Sequence, residues 1–292
     1  MSSFTSAQAA LNWGAEHLLS KSPSSRLDAL LLLARAMHCS KEQIIAGPQH
    51  PLTAAQEAQF NQFIARRARY EPIAYILGSQ EFWGLPFKVS PAVLIPRPET
   101  ELLVALALEA LAGWQGDRTP RVLDLGAGSG CIACAIAHSM RAEGRSVQVV
   151  ALEGSGAAVE IAHQNVLQLG VNELVELRHG DWNEFTCAEL FDVVVSNPPY
   201  IAQGDTNRSP ETDFEPKEAL FSGVSGVEAI AAIVKLLPRM LVPGGVAFME
   251  IGIDQAARVK ELSSSTLQCC GFKQDLSGRD RVAVFRFTPA ER

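Results

Sequence analysis

The pattern of apolar and polar positions divides the chain into three parts. Residues 1–72 carry two long stretches with apolar residues at helical spacing, LDALLLLARAMH at 27–38 and TAAQEAQFNQFIARRARY at 53–70. Residues 73–98 are rich in aromatic and β-branched residues broken by Gly and Pro, as in a β-hairpin or an extended connector. We therefore predict a small N-terminal helical domain followed by a connector.

Residues 99–292 are predicted to form the largest domain. Pro98, Glu99 and Glu101 precede the apolar run LLVALALEAL and mark the start of a helix. Further helices are predicted from about residues 130, 156, 226 and 254. Short apolar runs rich in β-branched residues lie between them: RVLDL, VQVVALE, LVELRHGD, FDVVVS, GVAFMEIG and RVAVFRF. This alternation predicts an α/β fold, Rossmann-like, with a mostly parallel sheet covered by helices on both faces.

Composition and charge narrow the possible partners. Hydrophobic residues make up 47% of the 292 positions and charged residues 20%, so we expect a folded globular chain. The formal net charge of -7 repels a phosphate backbone, and a nucleic-acid partner would need a local basic patch. Arg66, Arg67 and Arg69 are the clearest candidates, although a solvated helix face is the simpler interpretation.

The sequence shows no apolar run long enough to span a membrane. It also lacks the basic start and apolar centre of a signal peptide, so we expect a cytoplasmic protein. Cys131 and Cys134 form a C-x-x-C without a second pair of ligands at metal-binding spacing, and we expect no metal site. All the cysteines are expected to be reduced thiols: Cys39, Cys131, Cys134, Cys187, Cys269 and Cys270.

The segment VLDLGAGSGCIACAIA at 122–137 reads as a strand, a glycine-rich turn and a helix. Ligands of open α/β sheets bind where strands end, so Gly126, Gly128 and Gly130 are predicted to form a ligand loop. A dinucleotide fingerprint would need its last glycine at Cys131, and the lysine of a phosphate-binding loop is missing. A tight turn that uses glycine for purely structural reasons is the alternative.

The next two predicted strands end on residues suited to a nucleoside. The strand VQVVALE ends on Glu153, an acceptor for a ribose diol, and Asp181 with the flat ring of Trp182 stands at the end of the third strand. Each is weak evidence alone, because a strand can end on an acid and Trp182 can belong to the core. Together, and without a phosphate cradle, they predict a nucleoside cofactor that carries no phosphate, namely S-adenosylmethionine.

The strand FDVVVS is followed by Asn197, Pro198, Pro199 and Tyr200. The prolines lack N–H groups and keep the residues before them extended, so the turn is stiff, rich in carbonyls and poor in donors. The amide oxygen of Asn197 and the carbonyl of Pro198 are expected to accept both hydrogens of a planar NH2 group. Tyr200 would stack on that group. An ordinary loop covered by Tyr200 is the structural alternative.

At this point the sequence resembles a known family. NPPY after an apolar strand resembles the motif of class I methyltransferases that modify amide or exocyclic nitrogens. The segments YILGSQEFWGLPF, VLIPRPETE, VLDLGAGSGCIA, SNPPYI, EPKEAL, GGVAFMEIG and GRDRV together resemble the peptide chain release factor glutamine methyltransferases, from about Glu71 onward. The resemblance implies a seven-stranded sheet and a helical N-terminal domain that docks the release factor.

The resemblance also implies roles for residues. Asn197, Pro198, Pro199 and Tyr200 would hold the glutamine of a Gly-Gly-Gln loop in a release factor, with Asn197, Pro198 and Tyr200 as catalytic residues. S-adenosylmethionine, which becomes S-adenosylhomocysteine, would contact Gly126, Ala127, Gly128, Ser129, Gly130, Glu153, Asp181, Trp182 and Asn197. The chain departs from the family pattern at Ala127, where Thr is more usual, at Glu153, where Asp is more usual, and at Ser225, where an acid is expected.

Other functions fit parts of this pattern. An exocyclic amine of a nucleic-acid base would satisfy the same two acceptors, but the acidic net charge argues against stable nucleic-acid binding. A glutamine of a ribosomal protein is a further alternative substrate. A catalytically silent cofactor-binding scaffold is the remaining alternative. We expect a monomer that methylates the side-chain amide nitrogen of a release-factor glutamine.

Overall fold

The computed structural model describes residues 4–114, 116, 118–186, 190–206 and 208–289. Its contacts divide the chain into two compact units. Unit 1 contains Met1–Ser79 and Ser209–Phe214, and unit 2 contains Gln80–Arg208 and Glu215–Arg292. Of the predicted reduced thiols, Cys187 lies outside the described residues, and the described cysteines are free thiols.

Unit 1 is helical, as its apolar spacing predicts. Two of its helices begin with capping boxes, in which Ser40 pairs with Gln43 and Thr53 with Gln56, so orphan amides of the first turn are satisfied. Its core is closed by large side chains such as Phe60. The helices are α1 Ala7–Leu18, α2 Ser25–Met37, α3 Lys41–Ala46, α4 Ala54–Arg67 and α5 Ile73–Leu77, and a short 3-10 helix spans Pro210–Phe214.

Of the three arginines near the end of α4, Arg67 is buried and Arg69 is exposed. Arg67 is 3% exposed, and its guanidinium contacts Asp28 at 2.7 Å and Glu211 at 2.6 Å. Arg66 pairs with Glu71 at 2.5 Å. The expectation of a solvated face is therefore wrong for Arg67, because two carboxylates distant in sequence neutralise it inside unit 1.

Unit 2 begins with a two-stranded hairpin and continues into an α/β domain. The predicted helix start at Pro98 is confirmed, since a 3-10 turn at Pro98–Thr100 leads directly into a helix. The elements are β1 Ser79–Phe82, β2 Leu85–Lys88, α6 Glu101–Ala112, β3 Arg121–Leu125, α7 Cys131–Ala142, β4 Gln148–Glu153, α8 Gly156–Gln168, β5 Val175–His179, β6 Phe191–Ser196, α9 Lys217–Leu220, α10 Glu228–Met240, β7 Leu241–Glu250, α11 Ala256–Lys260, β8 Leu267–Gln274 and β9 Asp280–Phe287.

The main sheet has seven strands in the order β5-β4-β3-β6-β7-β9-β8. Strands β5 to β7 along this order are parallel, and β9 runs antiparallel to both of its neighbours. Alternating residues of each central strand enter separate cores on the two faces; Val122 belongs to one core and Leu123 to the other. The predicted fold class is confirmed, and β8 is a strand that the sequence pattern did not predict.

The sheet order places a ligand crevice at a definite position. The chain winds outward from β3 through β4 to β5 and then returns to place β6 on the other side of β3. Loops after β3 and β6 therefore leave in opposite directions and open a crevice at the carboxyl edge of the sheet. Within the described ranges, none of the helices is long and apolar enough to cross a membrane.

Candidate active site

A cavity of about 520 Å³ opens at the carboxyl edge of the sheet in unit 2. Most of the residues singled out in the sequence line it, although they lie far apart in the chain. They are Gly126, Ala127, Gly128, Ser129, Glu153, Asp181, Trp182, Asn197, Pro198 and Pro199. Gly130 and Tyr200 are not part of this lining. The topology of the sheet thus brings the glycine loop and the NPPY turn to one cavity.

The glycine loop connects β3 to α7 through three left-handed residues, with φ of 73° at Gly126, 55° at Gly128 and 76° at Gly130. Such angles favour glycine, and they let the loop backbone face the cavity without side chains in between. A Cβ on Gly130 would lie 3.3 Å from the Cβ of Ala162 in α8. Gly130 therefore serves the close packing of α7 on α8 rather than the cavity wall.

Glu153 at the end of β4 is held by backbone donors. Its Oε2 accepts from the Gly128 N–H at 2.8 Å, and its Oε1 accepts from the Ser155 N–H at 2.8 Å. Each carboxylate oxygen keeps a further lone pair for a ligand hydroxyl. The Glu153 side chain, which is longer than the Asp more usual at this position, is thus fixed in the cavity wall and linked directly to the glycine loop.

Asp181 and Trp182 follow β5 on the same wall. Asp181 Oδ1 accepts from the backbone and the side-chain nitrogens of Asn183, at 2.8 and 2.9 Å, so its carboxylate is oriented locally. Trp182 both lines the cavity and packs against the core on one face of the sheet. Trp182 is therefore in part a core residue, and its contact with a ligand stays a prediction.

Asn197 follows β6 and is oriented by a hydrogen bond to a residue from another part of the chain. Its side-chain Nδ2 donates to Thr100 Oγ1 at 3.1 Å. The preceding residue, Ser196, donates its hydroxyl to the carbonyl of Leu125 at 2.8 Å, which ties the NPPY turn to the end of β3. The amide group of Asn197 therefore has a defined orientation at the cavity wall.

Tyr200 packs against the core, and its hydroxyl donates to Glu250 Oε1 at 3.1 Å. Burial and the nearby charge of Glu250 raise the pKa of the Tyr200 phenol. The Tyr200 carbonyl accepts from Gln255 Nε2 at 2.9 Å, so the end of the turn is also held in place. Stacking of the Tyr200 ring on a substrate amide stays a prediction.

Two polar residues beside the NPPY turn escaped the sequence interpretation. Thr100 is 2% exposed and Glu250 is 1% exposed, and Thr100 Oγ1 donates to Glu250 Oε2 at 2.7 Å. Thr100 lies in PRPETE, a segment that indicated a helix start and contributed to the family resemblance but gave Thr100 no role of its own. The available signal for Glu250 was an acid at the end of the apolar strand GVAFMEI, because a buried carboxylate needs partners.

Asp124 is the residue before the last in β3, close to the start of the glycine loop. It is fully buried; Oδ2 accepts from the Ala133 N–H at 3.1 Å, and Oδ1 has no hydrogen-bond partner within the described part of the chain. Burial raises the pKa of Asp124 to about 7. Burial also raises the pKa of the Cys131 thiol to about 12, so this thiol stays protonated at neutral pH.

The charge of the cavity wall is one-sided. Its acidic side chains are Glu153, Asp181 and Glu218, and none of the described residues in this wall is Lys or Arg. An acceptor-rich, acidic wall favours a ligand that carries hydrogen-bond donors and positive charge. It disfavours a phosphate, which needs donors and cationic partners.

Comparisons with known protein families match both units. Residues 9–78 match the model described as the PrmC N-terminal domain, and residues 100–214 match the model described as the methyltransferase small domain. Among solved structures, the catalytic domain of hMettl16 in complex with MAT2A 3'UTR hairpin 6 covers 78% of this chain and 82% of its own, with a TM-score of 0.54 and 16% identity. This likeness supports the fold.

Curated relatives are more similar and extend over most of the chain. The release factor glutamine methyltransferase of Xylella fastidiosa (strain 9a5c) is 43% identical over 89% of this chain and 93% of its own length. The protein of the same name from Burkholderia pseudomallei (strain K96243) is 42% identical over 93% of this chain and 94% of its own. The resemblance seen in the sequence is confirmed, and the chain belongs to the release factor glutamine methyltransferase family.

Proposed function

We propose that this chain transfers the methyl group of S-adenosylmethionine to the side-chain amide nitrogen of a glutamine in a peptide chain release factor. The single observation that carries the proposal is the meeting of Asn197 and Pro198 with the glycine loop in one cavity. The family supplies the substrate: its members are named as glutamine methyltransferases of release factors. The resemblance to this family implies that the modified glutamine belongs to a Gly-Gly-Gln loop of the release factor.

The residues of the cavity fit S-adenosylmethionine. The Glu153 carboxylate is fixed by two backbone donors and keeps lone pairs for a ribose diol, and the flat ring of Trp182 suits an adenine. The acidic wall suits the positive charges of a sulfonium and an ammonium group. When bound, this cofactor supplies an activated methyl group for an in-line displacement.

The chain itself contributes alignment. Asn197 Oδ1 and the Pro198 carbonyl accept hydrogen bonds from the two N–H groups of the glutamine amide. These hydrogen bonds orient the amide nitrogen toward the methyl donor. Alignment of this kind can be worth about 7 to 11 kcal/mol. The same acceptors stabilise the positive charge that develops on nitrogen during transfer. The extra proton then leaves to water.

Further parts of the proposal concern the whole protein. The helical domain of residues 1–72 docks the release factor, residues 73–98 connect it to the methyltransferase domain of residues 99–292, and the protein works as a cytoplasmic monomer. A net charge of -7 and the pairing of Arg67 with two acids support the lack of stable nucleic-acid binding.

The test is a methylation assay with S-adenosylmethionine and a purified release factor, followed by tandem mass spectrometry of the peptide that contains the Gly-Gly-Gln loop. We expect one added methyl group on that glutamine. Asn197→Ala should lower turnover about 100-fold or more, since it removes an acceptor for developing charge. Affinity for the cofactor should fall much less than turnover, because the glycine loop and Glu153 remain.

Parallel reactions with RNA, DNA and ribosomal protein serve as controls. Methylation of a nucleic-acid base, with no methylation of the release factor, would contradict the proposal and indicate a base methyltransferase. Cofactor binding without transfer to any of these substrates would instead indicate a binding scaffold.

A further inference from the structure

A partly buried chain of hydrogen bonds connects the NPPY turn to the core of unit 2. Asn197 Nδ2 donates to Thr100 Oγ1 at 3.1 Å, and Thr100 Oγ1 donates to Glu250 Oε2 at 2.7 Å. The other oxygen of Glu250 accepts from the Tyr200 hydroxyl at 3.1 Å. Three elements distant in sequence, the start of α6, the end of β6 and the end of β7, thus meet around one carboxylate.

The direction of these hydrogen bonds follows from their donors and acceptors. A carboxylate can only accept, so the single hydroxyl hydrogen of Thr100 is used on Glu250. The Thr100 oxygen is then left as an acceptor, and the matching group of Asn197 is its NH2. The Asn197 carbonyl oxygen consequently lies on the side of the amide away from Thr100, available to a substrate.

The opposite orientation of the Asn197 amide would change the chemistry of the site. It would present an NH2 donor to the cavity, where a primary amide substrate also needs acceptors. A glutamate side chain, which has the shape of glutamine but offers only acceptors when ionised, would then be the better partner. The orientation of one amide thus separates glutamine from glutamate.

The surroundings of Glu250 are compatible with its role as an acceptor. The hydroxyls of Thr100 and Tyr200 and the positive charge of Arg281 favour the carboxylate. Burial and the negative charge of Glu99 act in the opposite direction, and burial, the largest of these effects, raises the pKa of Glu250 above its ordinary value. Both carboxylate oxygens nevertheless face a hydroxyl donor, which is the geometry of an ionised acceptor.

We propose that Thr100 and Glu250 are positioning residues that hold the Asn197 amide with its oxygen toward the substrate, so that the site prefers a glutamine to a glutamate. This inference rests on the proposed function and extends it, because it assigns the selectivity of the site to two residues outside the NPPY motif. Neither residue needs to touch the reacting nitrogen.

The test compares Thr100→Val with Thr100→Ser. Valine keeps the shape of threonine without the hydroxyl, and serine keeps the hydroxyl, so Thr100→Ser is the matched control. Two measurements are made on each protein: kcat/KM with the release factor, and the binding of two release factors in the presence of S-adenosylhomocysteine. One factor carries the natural glutamine, and the other carries glutamate at that position.

Thr100→Ser should keep both quantities within about threefold of the unchanged protein. Thr100→Val should lower kcat/KM about 10- to 100-fold, since it leaves the Asn197 amide without its fixed partner. It should also lower the preference for glutamine over glutamate in binding about tenfold. Glu250→Gln should act in the same direction, because its amide can donate to Thr100 and permit the reversed orientation of Asn197.

The outcomes separate this inference from the proposed function. Failure of the unchanged protein to methylate the release factor would refute the function. If the unchanged protein methylates the release factor, the two variants test the positioning role. An unchanged preference for glutamine in Thr100→Val and Glu250→Gln would refute that role, even if kcat/KM of these variants falls. Far-ultraviolet circular dichroism of each variant identifies misfolding, and if Thr100→Val does not fold, Glu250→Gln decides.

Discussion

Asn165 in α8 links the glycine loop to the β1–β2 hairpin, and its replacement by alanine gives a sharp test of the packing described above. The side chain is fully buried. Its Oδ1 accepts from the Lys88 N–H at 2.7 Å, and its Nδ2 donates to the Lys88 carbonyl at 3.1 Å and to the Ser129 carbonyl at 2.9 Å. One side chain thus satisfies three backbone groups.

The expected loss can be worked out from these contacts. A net contribution of about 1 kcal/mol for each hydrogen bond gives about 3 kcal/mol for Asn165→Ala. Gln168, one turn further along α8, makes a single exposed hydrogen bond to the same hairpin, at 2.9 Å to the Pro86 carbonyl. Gln168→Ala is therefore the matched control, with an expected loss of about 0.5 kcal/mol or less.

Urea unfolding followed by circular dichroism measures the free energy of unfolding of both variants. Hydrogen exchange of the Lys88 amide gives a local readout, because this amide should exchange faster in Asn165→Ala and at the normal rate in Gln168→Ala. Equal unfolding free energies for the two variants, or an unchanged exchange rate at Lys88, would refute the role of Asn165 as a link.

Three further predictions concern other parts of the chain. Arg67→Met should destabilise unit 1 by about 3 to 5 kcal/mol in urea unfolding, because Asp28 would keep a buried charge with its main partner removed. Gly226→Ala should lower both stability and turnover, since a Cβ there would lie 2.6 Å from the Tyr200 carbonyl and the residue has a φ of 80°; an unchanged melting temperature would contradict this. The pKa of Asp124 is raised to about 7, so its contribution to stability is complete below its unfolded pKa and is lost as the pH rises through 7. Asp124→Asn should therefore remove about 2 kcal/mol of the fall in unfolding free energy between about pH 5 and pH 7, and parallel curves for the two proteins would exclude it.

The sequence predicts the main elements because their patterns are strong. Apolar runs such as FDVVVS are buried on both faces and cannot be solvated strands. The strand β8, LQCCGFKQ, lacks such a run because it lies at the edge of the sheet and is half exposed, with a bulge between Cys269 and Gly271. Its pairing with β9 depends on contacts that local periodicity does not encode.

The residues of the site also fall into those that local sequence patterns predict and those that only the fold brings together. Glycines, strand-end acids and NPPY are local signals, and the structure brings most of them to one cavity. Thr100 and Glu250 are 150 positions apart, and only the topology of the sheet makes them neighbours. Arg67 was misinterpreted for the same reason: the helix pattern shows a charge, but its partners Asp28 and Glu211 lie 39 and 144 positions away.

The polar groups of the cavity explain why a neutral amide and a cationic cofactor belong together. Glu153 and Asp181 add negative charge to the wall, and the NPPY turn adds carbonyl oxygens with few donors. Such a wall attracts a sulfonium and disfavours a phosphate. A substrate nitrogen must then be neutral and carry two hydrogens, since only such a group satisfies two acceptors without opposing the cofactor's charge. A fixed Asn197 amide completes this condition, because its reversal would place an NH2 donor beside the reacting nitrogen.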